Sequence, residues 1–420
     1  MNPETIRQYL IDIQSRDVYR QRSQEWSLFR YDHLTGSDCL TYTRDTSSKS
    51  RRKVILEKAT RGEFKTFFGN MYTKRGTMLE PITMTFYLYD HPMCHVKEVG
   101  PISHPEYPFL APSTDGIVYC LDPSSPQLRN LELKSLNQTN MTWDTICSYL
   151  QQHHDKNTNR DETKIKKEHR YQMQMQMACL QLNHTDYVTV QYNILSLSSL
   201  CDTPSILYRT IQEWAKNRST YSISTSKKEN DWVGFYGTIT PVLLQYTGED
   251  EAERNNPPKF PPVHEYSQTM SMIPSTHGTT SITNTYQAPP LDNDLTSSHS
   301  IDDTTWIAYY YSPFSRSSYG QSYLYEWTCG FRTWIQQHPL PSTHWKWILQ
   351  ESICWQVVSH KTKNISRRSS WLRRHLPQFK ECYQQILDLR QNTQLQQKWM
   401  DELNIEKNNL PSICQTTCHL

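Results

Sequence analysis

Residues 1–198 predict an α/β (α+β) core on three observations. Apolar residues recur at helical spacing near the start, short β-like runs between turns follow, and a further helical pattern leads into another strand. In order, Ile6, Leu10, Ile13 and then Trp26 and Phe29 predict helix over 4–32. Residues 40–55 are a polar, basic stretch ending in SKSRRK, and a second helical region runs from about 64 to 89. CHVKEVG (94–100), GIVYCLD (116–122) and LRNLELKSL (128–136) are β-like, separated by HPEYP, APSTDG and DPSSPQ. A strong helix spans about 162–182 and opens with acidic residues, as the helix dipole favours. DYVTVQYNIL (186–195) then reads as a strand.

The pattern weakens after residue 198. Residues 199–345 read as a large insertion, in which 248–305 is a linker or long flexible loop, because GEDEAERNNPPKFPPVHE and the Ser/Thr/Asn run after it contain few aliphatics to offset ordering entropy. Residues 306–350 are aromatic-rich and predicted to be ordered. Residues 346–395 supply a closing strand, ICWQVVSH (353–360), and an amphipathic helix over 367–390. Trp371, Leu372, Phe379 and Ile386 are its buried positions, with an interruption expected at Pro377. Residues 396–420 read as a polar tail. The length of 420 residues suits two or three domains or, equally well, one elaborated α/β enzyme.

Composition narrows the function. Hydrophobic residues make up 36% and aromatics 12%, so the core must be built largely with aromatics. Twelve Gly against 23 Pro argues against a glycine-rich nucleotide-binding enzyme. A net charge of +2 means that any nucleic-acid contact rests on local basic patches, for which KSRRK (49–53), KIKK (164–167) and SRRSSWLRR (366–374) are candidates. The 11 Cys form no C-x-x-C pair and read as reduced intracellular thiols. Cys414, Cys418 and His419 lack the fourth ligand and close pairing of a zinc site, and His153 and His154 are assigned no metal. No apolar run is long enough for a membrane helix, and the N-terminus has no apolar signal region, so a soluble intracellular protein is expected.

The chemistry concentrates in PSTDGIVYCLDPSSPQLRNLELK. Asp115 opens one strand, and Glu132 and Lys134 lie on the next, on one face because side chains alternate. A hairpin around DPSSP brings the three together. Carboxylates suit Mg²⁺, a metal can polarise a phosphoryl oxygen and activate water, and a lysine can orient that water or offset transition-state charge. An E-x-K triplet alone arises by chance in most chains of this size. Paired with D-G across a hairpin it is more specific.

Further segments fall in a consistent order: W-x-x-x-R with T-G-S in QEWSLFRYDHLTGSD (24–38), RGTMLEP (75–81), STDG (113–116), LELK (131–134) and YQMQMQ (171–176). Together with the closing strand and helix, they resemble the PD-(D/E)xK nuclease superfamily, in the branch of lambda exonuclease, YqaJ-like viral recombinases and viral alkaline nucleases. The resemblance covers roughly 1–198 and 346–395. It implies a restriction-endonuclease-like core, a central mixed sheet flanked by helices, with the insertion before the closing strand and helix. Thr114 stands where the family usually has proline, which should only relax the turn.

The resemblance implies Asp115, Glu132, Glu80 and the Leu133 backbone carbonyl as metal ligands, Lys134 as the catalytic lysine, and Gln174 beside the site on water or phosphate. Arg30, Ser37 and Ser113 would hold a terminal 5′-phosphate, with Gln176 a further DNA-binding candidate. Trp26 reads instead as core packing. The implied activity is Mg²⁺-dependent hydrolysis of duplex DNA from an end, 5′ to 3′, with Mn²⁺ able to substitute. It would serve viral recombination and replication beside a single-strand annealing protein, in the host nucleus or cytoplasm. An endonuclease with the same metal centre, and an inactive DNA-binding or scaffold protein, are the alternatives. Oligomeric state stays open.

Overall fold

The structure is a computed structural model that describes residues 2–16, 19, 24–64, 71–138, 165–196, 236–261, 297–302, 304–312 and 320–403. In chain order the elements are helices α1 (Pro3–Arg16), α2 (Gln24–Asp32), α3 (Ser48–Ala59) and α4 (Met71–Asp90), then strands β1 (His95–Lys97), β2 (Gly116–Cys120) and β3 (Gln127–Gln138). Helix α5 (Lys167–Leu180) and β4 (His184–Ser196) follow, then β5 (Tyr236–Tyr246), the short α6 (Glu251–Arg254), β6 (Ser297–Asp302) and β7 (Thr305–Tyr311). The described chain ends with α7 (Gly320–Gln337), β8 (Trp345–Leu349), β9 (Ile353–Ser366), α8 (Ser369–Gln391) and α9 (Thr393–Leu403).

The nine described strands form one mixed sheet, ordered β1-β2-β3-β4-β9-β5-β7-β6, with β8 pairing β5 off that path. β2 and β3 form the expected antiparallel hairpin, with Gly116 opposite Leu131. β3 and β4 run parallel, with Glu132 beside Tyr187. The chain returns through α5, as a parallel pair requires a crossover. β9 then lies antiparallel to β4 along its whole length.

Strand alternation sorts the two faces. Leu131, Leu133, Val188, Val190 and Tyr192 pack with Met78, Leu79, Ile82 and Phe86 of α4, and Trp355 of β9 completes this core. On the opposite side Met175 and Cys179 of α5 join Trp371, Phe379 and Ile386 of α8 and Leu34, Tyr42 and Ile55 from the N-terminal segment. Glu132 is therefore directed to the α5 side by its position between Leu131 and Leu133.

Several elements depart from expectation. The predicted helix 4–32 is two helices. Trp26 follows Ile13 by thirteen residues, about 220° around a helix, so one straight helix could not bury both stripes on the same side. The basic stretch 40–55 runs into α3, which Ser47 caps by accepting from the Ser50 N–H at 3.1 Å and which buries Ile55, Leu56 and Ala59. Pro377 sits inside an unbroken α8. It and Arg373, whose carbonyl loses its donor, are both exposed, so water can replace the missing bond.

The expected linker 248–305 is structured at both ends. Asp250 caps α6 through the N–H groups of Ala252 and Glu253, and β6 pairs β7. Phe260 packs against Trp347, and Tyr310 donates to the Pro261 carbonyl at 2.9 Å, so few but large contacts anchor a polar segment. Residues 262–296 lie outside the described residues, as do His153, His154, Cys414, Cys418 and His419. The described part of 199–345 extends the sheet, through β5, β6, β7 and β8. The expected tail 396–420 begins instead within α9, whose Met400 and Leu403 are buried against Leu56 and Phe64. Among the described residues no helix is long and apolar enough to cross a membrane.

Candidate active site

Asp115, Glu132 and Lys134 do meet at the start of the hairpin. The Asp115 N–H donates to the Leu131 carbonyl at 3.3 Å, which fixes the turn against β3. The Leu133 N–H in turn donates to Asp115 Oδ2 at 2.6 Å. Thr114 is buried, and its hydroxyl lies 2.9 Å from the Leu131 carbonyl, in donating position. The residue expected only to relax the turn pins it instead.

Glu132 is fully buried, a placement that carboxylates avoid unless paired. Its Oε1 forms an ion pair with the Lys134 ammonium. Its Oε2 accepts from Gln176 Nε2 at 2.7 Å. Gln176 also donates to the Ser113 carbonyl at 2.8 Å, and its own oxygen accepts from Asn130 Nδ2 at 3.0 Å. Gln176 therefore holds Glu132 and the turn before Asp115 in one frame. Its role in the fold is to orient a carboxylate, which differs from the DNA contact expected for it.

Gln174 is not brought to this place. It donates to the Ser366 carbonyl at 2.9 Å and accepts from the Arg368 N–H at 2.7 Å, tying α5 to the junction of β9 and α8. The helix explains why. Gln174 and Gln176 lie about 200° apart on α5, whereas Gln172 and Gln176 lie within about 40°. Gln172 is the residue that lines the cavity beside the site, and the i, i+4 spacing with Gln176 was the signal for it.

That cavity, about 170 Å³, is lined by Trp26, Arg30, Gly36, Ser37, Glu80, Ser113, Asp115 and Gln172. Glu80 comes from α4, between Leu79 and Ile82, which bury in the core below. Arg30 donates to Ser37 Oγ at 3.1 Å, and its guanidinium lies 4.4 Å from the centre of the Trp26 ring. Trp26 Nε1 donates to Ser113 Oγ at 3.1 Å. Trp26 is thus half-buried in the cavity wall rather than in the core. The loop that carries Gly36 and Ser37 is placed by two backbone bonds, Leu34 N–H to Phe109 and Ala111 N–H to Leu34, at 2.8 and 3.0 Å. A side chain at Gly36 would meet Pro112 Cβ at 3.0 Å, so the close approach of the two segments calls for glycine.

Electrostatics mark the same spot. Burial, then Glu132 and Glu80, push the Asp115 carboxyl well above the usual range, against the opposing pull of Lys134 and the Leu133 N–H. Burial alone would lower the Lys134 pKa, but Glu132 and Asp115 outweigh it and raise it above the usual lysine value. Asp115 thus has two carboxylates, Glu132 and Glu80, and one ammonium, Lys134, as charged neighbours, an excess of negative charge that opposes its ionisation. Among the described residues no three His, Cys, Asp or Glu side chains are already gathered tightly enough to hold a metal ion. The donor set still fits a hard divalent cation, since it consists of carboxylate oxygens whose mutual repulsion such an ion would relieve.

A mixed sheet with helices on both faces, and an acidic hairpin site with a lysine, are the features that the motifs led one to expect. Residues 25–187 match the family model of the YqaJ-like viral recombinase domain, and the resemblance to the PD-(D/E)xK nucleases therefore holds over this stretch. Among solved structures, the chain is similar to an alkaline exonuclease (LHK-Exo) from Laribacter hongkongensis, at 26% identity and a TM-score of 0.30, over 40% of this chain and 74% of that one. It is likewise similar to LHK-Exo in complex with dAMP, at 26% identity and a TM-score of 0.29, over 40% and 73%. No curated protein matches the chain.

Proposed function

We propose that the chain is a divalent-metal-dependent exonuclease that hydrolyses duplex DNA from an end, 5′ to 3′. The observation that carries this reading is the cavity lined both by Arg30, Ser37 and Ser113 and by Glu80 and Asp115. A guanidinium beside two hydroxyls suits a terminal phosphate, and the acidic group beside it suits hydrolysis of a nearby phosphodiester. An enzyme that cuts anywhere along a strand has no need of a terminal-phosphate pocket.

Asp115, Glu132, Glu80 and the Leu133 carbonyl would hold Mg²⁺, or Mn²⁺ in its place. The ion, when bound, supplies charge neutralisation at the phosphoryl oxygens and a lower pKa for water. Lys134, which neighbours Glu132, would orient the attacking water or offset charge on the phosphate. Gln176 keeps Glu132 facing the site, and Arg30 with Ser37 and Ser113 anchors the strand end. The product, duplex with a single-stranded tail, suits a single-strand annealing partner in viral recombination and replication in the infected cell.

The test incubates the purified full chain with linear and with closed circular duplex DNA, with Mg²⁺ or with EDTA. Metal-dependent release of nucleotides from linear DNA alone is expected. Equal cutting of circular DNA would favour an endonuclease with the same centre. No metal-dependent release would overturn the nuclease reading and favour an inactive DNA-binding protein.

A further inference from the structure

Arg30 stands in the last turn of α2, a helix of nine residues. A helix end leaves its last four carbonyls without donors from the helix itself. Three of these are met here by side chains. His33 Nδ1 pairs with the Phe29 carbonyl at 2.8 Å, and because a carbonyl only accepts, the ring nitrogen is the donor. Lys58 Nζ, from α3, donates to the Arg30 carbonyl at 2.8 Å. Arg390 Nη2, from α8, donates to the Tyr31 carbonyl at 2.9 Å and to the Lys58 carbonyl at 3.1 Å. Its Nη1 pairs with Asp32 at 2.8 Å.

Lys58 is only 5% exposed. Burial pulls its pKa down to about 8, so keeping an ammonium there is costly. A solvated helix end could be capped by water. A buried cation at the negative end of the helix dipole, locked to a second cation from a helix more than three hundred residues away in sequence, holds the turn in place far more rigidly. What that turn carries toward the cavity is the Arg30 side chain.

We propose that Lys58 and Arg390 are positioning residues for the phosphate pocket: by gripping the carbonyls of Arg30 and Tyr31 they fix the point from which the Arg30 guanidinium reaches a terminal phosphate. This rests on reading the cavity as a terminal-phosphate site. Bidentate guanidinium–phosphate contact depends on a fixed plane, so loosening the backbone behind Arg30 weakens recognition of the phosphate without touching the metal-binding side chains.

The experiment measures binding of the full chain, in EDTA, to a short fluorescent duplex carrying either a 5′-phosphate or a 5′-hydroxyl. Arg30→Ala defines complete loss of the preference. Lys58→Met is expected to reduce the Kd ratio between the two ends by about 5-fold, the worth of one hydrogen bond. The 5′-hydroxyl Kd should stay unchanged, and no further loss should appear in the Arg30→Ala background. Arg390→Gln should reduce the ratio in the same way and Arg390→Lys should restore most of it; this pair carries the test if Lys58→Met fails to fold. Wild-type protein with no preference for phosphate would overturn the reading of the pocket and the proposal with it. A preference abolished by Arg30→Ala but intact in Lys58→Met and Arg390→Gln would overturn the positioning role alone. So would equal losses on both duplexes.

Discussion

Replacing the two glutamines of α5 separately gives the sharpest test of the site. Gln176→Leu removes the bond to Glu132 Oε2 and the bond to the Ser113 carbonyl, and leaves Asn130 Nδ2 without its Gln176 acceptor. A hydrogen bond to a charged group contributes about 1.5–3 kcal/mol and a neutral one about 1 kcal/mol. The loss is therefore about 3–5 kcal/mol, focused on the orientation of one carboxylate. Residues that orient a metal ligand typically cost about 10–100-fold in activity or metal affinity when changed. Gln174→Leu removes two neutral bonds, to Ser366 and Arg368, worth about 2 kcal/mol in total. It should lower the denaturation midpoint while leaving turnover on linear duplex within about 3-fold, since neither bond touches the site. The assay is steady-state release of acid-soluble nucleotides, beside urea denaturation of each variant. If Gln174→Leu abolishes turnover in a stable protein while Gln176→Leu is active, the geometric assignment is wrong.

Lys134→Ala should abolish cleavage yet keep duplex binding in EDTA, measured by mobility shift; retained cleavage would place the chemistry elsewhere. His169 is held neutral by burial, then by Lys134 and Lys166, with its pKa lowered to about 4. A depressed histidine favours the folded state above its unfolded value, about 6.5, and that contribution disappears as pH falls toward 4. Stability should decline across that window, and His169→Gln should flatten this part of the urea-midpoint profile. Leu403→Ala, in α9, should cost about 2–5 kcal/mol by leaving a hole beside Leu56 and Phe64. Its turnover per folded molecule should not change.

The hairpin and its triad could be read directly because everything they need is local. Strand alternation puts Glu132 and Lys134 on one side, and DPSSP turns β3 back on β2 over a few residues. Glu80, Arg30 and Ser37 emerged only from the ordered motifs, since no local spacing links residue 30 to residue 115. Periodicity could also have separated Gln174 from Gln176, but which of the two faces met Glu132 depended on how α5 lies across β3 and β4. That packing is set by Met173, Met175 and Met177, which bury on different neighbours.

Composition misled where few residues do much of the packing. The segment after residue 248 looked too polar to order, yet Phe260 finds Trp347, and the tail looked polar although Met400 and Leu403 find Leu56 and Phe64. Local patterning was enough to specify β2, β3, β4 and β9, the turn, and the meeting of Asp115, Glu132 and Lys134, because period and turn chemistry act over a few bonds. Trp26 in the cavity wall, Gln176 behind Glu132, and Lys58 with Arg390 behind Arg30 were decided by the tertiary structure. Each is a contact between residues far apart in the chain, and burial in a common interior is what turns such a meeting into a bond.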